Sequence, residues 1–198
     1  MKTITALRER PKAKVDVELD GAPWRRLPVD AVARAGLMVG RTLDRDTART
    51  LGRELRRSAA LVRATRALAA RDRSRHSLDE RLASAGVAAE PRREALETLE
   101  RAGLVDDARF AAGRAATLAE RGHGDAAIRF DLERQGLPDP LVAEAIAELE
   151  PEPERALRLA ARRGRGAKTA RWLAARGFEP ETVEEVAGEG SSGVGSDL

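Results

Sequence analysis

Five positions in this chain recur at a fixed interval. Arg71, Leu78, Leu82, Gly86 and Val87 return fifty residues later as Arg121, Ile128, Leu132, Gly136 and Leu137. The register continues, with Ala95, Leu96 and Leu99 matched by Ala145, Ile146 and Leu149. A third copy lies forty-one residues further on, as Arg162, Leu173, Gly177 and Phe178, with Thr169 where the first two copies have Leu78 and Ile128. Self-similarity at such a period confines a chain to one supersecondary unit used several times over.

Each copy reads as three helices. The first ends near the repeated arginine. The second carries two apolar residues one turn apart and stops at a glycine suited to the left-handed position after a helix. The third follows a short turn holding Pro91, Pro138 or Pro180. Leu82, Leu132 and Leu173, each four residues before its glycine, are the expected equivalent core positions. A unit of about 45 residues buries too little surface to stand securely alone, so stacked neighbours should supply much of the core. The expected division is a small β element over 1–30, a basic helical segment over 31–57, repeats over 58–103, 104–150 and 151–187, and a disordered tail over 188–198.

The first thirty residues follow another pattern. Ile4 to Glu9 and Lys14 to Asp20 read as strands, and Val15, Val17 and Leu19 alternate with charged residues. Asp20-Gly21 is a hairpin turn signal, with Trp24 to Leu27 as the return strand, so a hairpin or three-stranded sheet is expected. A short helix, Asp30 to Ala35, ends at Gly36. The next begins near Asp44 or Asp46, either of which suits an N-cap. In it Leu51, Leu55 and Val62 are expected on one side, and the stripe continues through Leu61 and Leu68 as one long helix or two.

Charge is unevenly placed. Up to Arg75 the chain has 19 Lys or Arg against 9 Asp or Glu, and from His76 onward 17 against 24, which together give the net +3. Such asymmetry suggests an acidic partner, nucleic acid or protein. Arg49, Arg53, Arg56 and Arg63 are spaced to share one helix face, and Arg66, Arg71, Arg73 and Arg75 follow closely. A solvated face is one reading of this run; a weak, salt-sensitive DNA contact is the other. With no apolar run near the length of a membrane span and no secretory signal pattern, a soluble cytoplasmic protein is expected.

The residues offer little catalytic chemistry. Cysteine and tyrosine are absent, and His76 and His123 have no second ligand nearby, so no metal, cofactor or enzyme activity is expected. Asp106 reads as a helix cap and Asp107 as a complement to the helix dipole. Gly164 to Thr169 ends in a Walker-like Lys-Thr, but Ala167 and Arg162 stand where that motif needs glycine, and a helix precedes it where a strand is required.

With the repeat in view, the chain resembles the RecX family of regulators of the RecA recombinase. Leu104-Val105-Asp106-Asp107-Ala108-Arg109-Phe110-Ala111 is similar to the family's leucine, aspartate-pair and Arg-Phe-Ala block. Arg121-Gly122-His123-Gly124 through Ile128, Leu132 and Gln135-Gly136-Leu137 resembles the string that follows it. Arg73 to Leu78 resembles the entry to the first copy's middle helix. Asp131 stands where the family usually has glutamate, Gln135 where it has lysine, and Asp125 where it has proline or a basic residue. The resemblance covers about Leu61 to Ala187. It implies a mainly α fold of tandem three-helix repeats in an elongated curved body, and binding to the RecA filament on DNA with inhibition of its ATPase and strand exchange. A sequence-independent DNA-binding protein and a helical-repeat scaffold for another protein remain alternatives.

Two sets of residues are candidates for that partner. Arg71, Arg121 and Arg162 recur near the end of a first helix, either to cover apolar surface and meet the helix dipole or to contact acidic groups of the filament. Phe130 falls about 200° from Ile128 and about 160° from Leu132 on the helical wheel, flanked by Arg129 and Arg134. It is either a contact between repeats or an anchor for a partner.

Overall fold

The structure, a computed structural model, describes residues 2–188. The chain divides into two compact units, one formed by Met1–Arg71 and Leu78–Val105 and the other by Asp72–Ser77 and Asp106 onward.

The first unit opens with an antiparallel sheet of β1 (Lys2–Arg10), β2 (Lys14–Leu19), β3 (Ala22–Pro28) and β4 (Thr42–Leu43), in the order β3-β2-β1-β4. The hairpin between β2 and β3 turns at Asp20 and Gly21, both at positive φ, as a two-residue turn between twisted strands requires. The sheet has four strands, not the two or three expected, because the two residues of β4 pair with Lys2 and Thr3. So short a segment carries no alternation to read. Val15, Val17 and Leu19 point inward, onto α1 (Val29–Arg34) and the start of α2 (Arg45–Ala70), in a core with Ile4, Leu27, Val32, Leu37 and Leu51. On the other face Asp16 accepts from Arg10 Nε and Arg26 Nε, both at 2.7 Å, and these two guanidiniums hold its carboxyl down at about 2.

Asp44 caps α2, its carboxylate accepting the Thr47 N–H at 2.8 Å, and Asp46 sits in the first turn. α2 is one helix of 26 residues and runs unbroken past the junction expected at 57–58. Its inward face also differs from expectation. Val62 is exposed, and the buried residues are Thr47, Leu51, Glu54, Ser58, Ala60, Ala64 and Ala67. Small side chains face inward here because α4 (Ala89–Arg101) packs along α2. Arg57 joins the two, reaching Thr98 at 3.0 Å and Glu94 at 3.4 Å. With α3 (Arg75–Ser84), these helices close a core of Ala64, Leu78, Leu82, Leu96 and Leu99.

In the second unit α5 (Asp107–Glu120), α6 (Asp125–Arg134) and α7 (Asp139–Ala147) enclose Ala111, Ala115, Ile128, Leu132, Leu137 and Val142. Then α8 (Glu152–Arg163), α9 (Ala167–Ala174) and α10 (Pro180–Gly188) enclose Ala156, Ala160, Leu173, Phe178 and Val186. The expected equivalents Leu82, Leu132 and Leu173 are all buried, and Gly86, Gly136 and Gly177 follow their helices at φ of 75°, 72° and 77°. The shortened copy keeps the pattern by turning from α8 into α9 over Gly164 and Gly166, with Thr169 buried and donating to the Gly164 carbonyl at 2.6 Å. Apart from Gly188, the expected tail lies outside the described residues.

Candidate functional site

α6 separates its residues into two faces. Ile128 and Leu132 are fully buried, whereas Arg129, Phe130 and Arg134 are exposed, Phe130 by 62%. That exposure overturns the reading of Phe130 as a contact between repeats. The Arg134 guanidinium stands 5.7 Å from the ring centroid, within cation–π range. Asp131, the acid beside Phe130, is turned to α5, where Arg114 grips it with two bonds of 2.8 Å. Those bonds hold its carboxyl below the usual range. The face left on α6 is an exposed aromatic ring with Arg129 and Arg134 beside it and the exposed Glu133 on the same side.

The repeated arginines sit at helix ends. Arg71 and Arg121 are the residues that follow α2 and α5, and Arg162 lies in the last turn of α8. All three are exposed, and among the described residues no ion pair holds their side chains. Both readings of them therefore stay compatible with the geometry. Only Arg121 gains a defined setting: its carbonyl accepts from Arg176 Nη1 at 2.6 Å, and a Cβ on the neighbouring Gly122 would lie 3.4 Å from Trp172.

Along α2, Arg49, Arg53, Arg56, Arg63 and Arg66 are exposed. Arg49 reaches Asp46 at 3.4 Å, Arg53 reaches Glu54 at 3.6 Å, and Arg63 donates to the Ala85 carbonyl at 3.3 Å. Arg73 and Arg75 do not extend this exposed row. They are half-buried at the entry to α3, where Arg75 donates its N–H to Asp107 at 2.7 Å.

The motif residues prove to be joinery. Asp106 caps α5, accepting the Arg109 N–H at 2.9 Å, and Phe110 packs on the core of that unit. Asp107 does more than complement a dipole, because it caps the start of α3. Ser74, fully buried, accepts the Ser77 N–H at 3.1 Å and donates to the Gln135 carbonyl at 2.5 Å. A Cβ on Gly136 would come within 2.3 Å of the His76 ring. One repeat later the same joint recurs. Gly124 donates its N–H to the Arg176 carbonyl at 3.0 Å, and its missing Cβ makes room for the Gly177 carbonyl. Glu152 takes the role of Asp107, accepting the N–H of Asp125 on one oxygen and that of Glu179 at 2.6 Å on the other.

Sequence reasoning missed Ser74, Glu152 and Arg155. Arg155 is buried, donates to the Glu150 and His123 carbonyls at 2.9 Å each, and pairs with Asp125, whose carboxyl burial pushes up. Ser74 carries a readable signal, a serine just before a helix. Glu152 and Arg155 look like ordinary surface residues until the neighbouring repeat covers them.

Comparison with known proteins decides the family. The regulatory protein RecX of Acidithiobacillus ferrooxidans is 36% identical over 144 residues, spanning 68% of this chain and 92% of the relative. The chain belongs to the RecX family. The sequence model of the RecX second three-helix domain matches residues 106–146, the stretch that holds α5, α6 and most of α7. The RecX of Chromohalobacter salexigens is 39% identical over 132 residues, 62% of this chain and 87% of the relative. The fold agrees with a crystal structure of regulatory protein RecX at a TM-score of 0.82 and 20% identity, covering 94% of this chain and 98% of the other. RecX from Lactobacillus salivarius superposes at 0.58, also at 20% identity, over 68% of this chain and 96% of the other. No helix among the described residues is long and apolar enough to cross a membrane.

Proposed function

We propose that this RecX-family chain binds the RecA recombinase filament on DNA and restrains its ATPase and strand exchange, as a regulator without chemistry of its own. Membership of a family of regulatory proteins supports the reading. The observation that carries it is the α6 face. Phe130 is a large aromatic exposed beside two arginines, and aromatic and Arg residues are enriched where a few side chains dominate binding. The exposed arginines of α2 add a weak contact to DNA, and Arg71, Arg121 and Arg162 a further row of cations toward the filament.

The test is the ATPase rate of the recombinase on single-stranded DNA with substoichiometric amounts of this protein. Inhibition is expected, and Phe130→Ala should weaken binding by about 2 kcal/mol or more, roughly thirtyfold, with an unchanged melting temperature. An unaffected ATPase would refute the function, and full inhibition by Phe130→Ala would refute the anchor.

A further inference from the structure

Between Arg155 and Gly177 the chain carries eight basic side chains and no acidic one, inside a half whose net charge is negative. Three of the eight have structural duties: Arg155 is buried, Arg158 pairs with Glu150, and Arg176 donates to the Arg121 carbonyl at 2.6 Å. Four of the eight lie about Trp172, two over its ring and two beside it on α9. At about 100° per residue, Lys168, Arg171 and Trp172 share an arc of about 100° on α9, opposite the buried Thr169, Ala170 and Leu173. The Arg163 guanidinium lies 4.1 Å from the Trp172 ring centroid and that of Arg176 4.8 Å. From these observations we infer that the α8–α9 face of the third repeat, built from Arg163, Lys168, Arg171 and Arg176 around Trp172, is a site for the phosphate backbone of a nucleic acid.

Three features separate this face from an ordinary solvated surface. On α4, by contrast, the exposed Arg93 is paired with Glu90 at 2.6 Å and Glu97 at 2.7 Å. Here the stretch holds no acid, and among the described residues Arg163, Lys168, Arg171 and Arg176 form no ion pair. Trp172 fixes two of the guanidiniums in place, which lowers the ordering cost of binding. One of these cations also reaches a neighbour: the His123 imidazole is pushed below its ordinary value, first by burial and then by Arg176, with Asp131 opposing.

The partner follows from what the face lacks. The exposed large apolar residues among those described are Val29, Met38, Val39, Val62, Leu104 and Phe130, none of them in this repeat. Protein interfaces bury an apolar centre within a polar rim, whereas phosphate contacts are made by charge alone. Arg163 and Arg176 both lie over the Trp172 ring, so the ring organises charge and does not read bases. The contact is therefore independent of sequence. The inference is separate from the reading of α6 and α2 and rests on no part of it.

The experiment is fluorescence anisotropy of the full chain with a labelled single-stranded oligonucleotide and its duplex, over a salt series. The variants are Lys168→Glu/Arg171→Glu and the milder Lys168→Gln/Arg171→Gln, each checked by its melting curve. Wild-type affinity should fall steeply with salt. The reversed pair should lose about tenfold or more in affinity and lower the log–log salt slope by about 1.4 to 1.8, the contribution of two phosphates. The neutral pair should lower the slope similarly with a smaller loss of affinity, and it answers the question if the reversed pair does not fold. No DNA binding by the wild type at low salt, or wild-type affinity and slope in the folded variants, would overturn the proposal. So would variants that keep DNA affinity but lose inhibition of the recombinase, which would give the face to a protein.

Discussion

Gly86 and Gly136 offer a matched pair for testing how the repeats are joined. Each follows the second helix of its repeat in the left-handed region, at φ of 75° and 72°. Alanine therefore meets the same backbone strain at both, about 1–2 kcal/mol. Their surroundings differ. A Cβ at Gly86 would meet nothing within 4 Å, whereas one at Gly136 would lie 2.3 Å from His76 Cγ, 2.4 Å from Cδ2 and 2.5 Å from Cβ. Those atoms sit at the root of the side chain, so rotating the ring tip gives no relief and the entry to α3 must shift. Overpacking of that kind typically costs a further 1–3 kcal/mol. Gly136→Ala should thus cost about 2–5 kcal/mol and Gly86→Ala about 1–2. At about 2–4 °C per kcal/mol for a chain of this size, the two melting temperatures should separate by several degrees. Circular dichroism at 222 nm through urea and thermal unfolding reads the effect. Because the glycines lie in different units, the transitions are to be fitted separately if two appear. His76→Gly should bring the cost of Gly136→Ala down to that of Gly86→Ala. Equal costs for the two alanines in the parent chain would refute the close approach of His76 to Gly136.

Two further outcomes are expected. Arg121→Glu changes an exposed side chain, so stability should move by no more than about 0.5 kcal/mol while inhibition of the recombinase weakens; a folded variant with full inhibition would return Arg121 to a structural role. Arg114 holds the Asp131 carboxyl below its usual range, so this pair contributes stability above a pH of about 4 and loses it as pH falls through the lowered value. Asp131→Asn should cost about 1 kcal/mol at neutral pH, discounted for its partial exposure, and this difference should vanish in acid. Asp16 and Asp44 titrate in the same direction, so only the difference from the parent isolates Asp131; a constant difference down to acid pH would refute the assignment.

What could be read from the sequence was whatever has a local cause. The repeats were legible because a leucine one turn before a glycine fixes both a buried face and a helix end, and the structure buries Leu82, Leu132 and Leu173 alike. The hairpin was legible because Asp20-Gly21 can hold two positive φ angles. Val62 misled because large apolar residues were followed along α2, whereas close packing on α4 selects alanine and serine. The basic face of the third repeat was hidden by averaging: charge summed from His76 onward is negative, although one stretch of it carries no acid at all. Of the candidate residues, helical period placed Phe130 opposite the buried Ile128 and Leu132 on α6 but left its exposure open. The buried Glu152–Arg155 network did not, since its environment is supplied by residues about thirty positions earlier in the chain.

Three residues read above as departures from the pattern this chain resembles sit without conflict in the structure. Asp125 is half-buried, and an acid drawn that far from water would be costly alone. Arg155 is its counterion, held in place by two carbonyls, so the substitution and the buried arginine are parts of one arrangement. Asp131 replaces glutamate one residue before the buried Leu132, and Arg114 meets the shorter side chain with two equal bonds. Gln135 replaces lysine at no cost to the joint, because the bond from Ser74 is to its backbone carbonyl and asks nothing of the side chain. The positions that must not change are those where backbone meets backbone. Gly124 and Gly177 approach so closely that a Cβ on Gly124 would fall 2.2 Å from the Gly177 carbonyl oxygen, and no rotamer can relieve that contact. The joint between Gly124 and Gly177 therefore requires glycine by shape, whereas the charged groups beside it are held by side-chain partners.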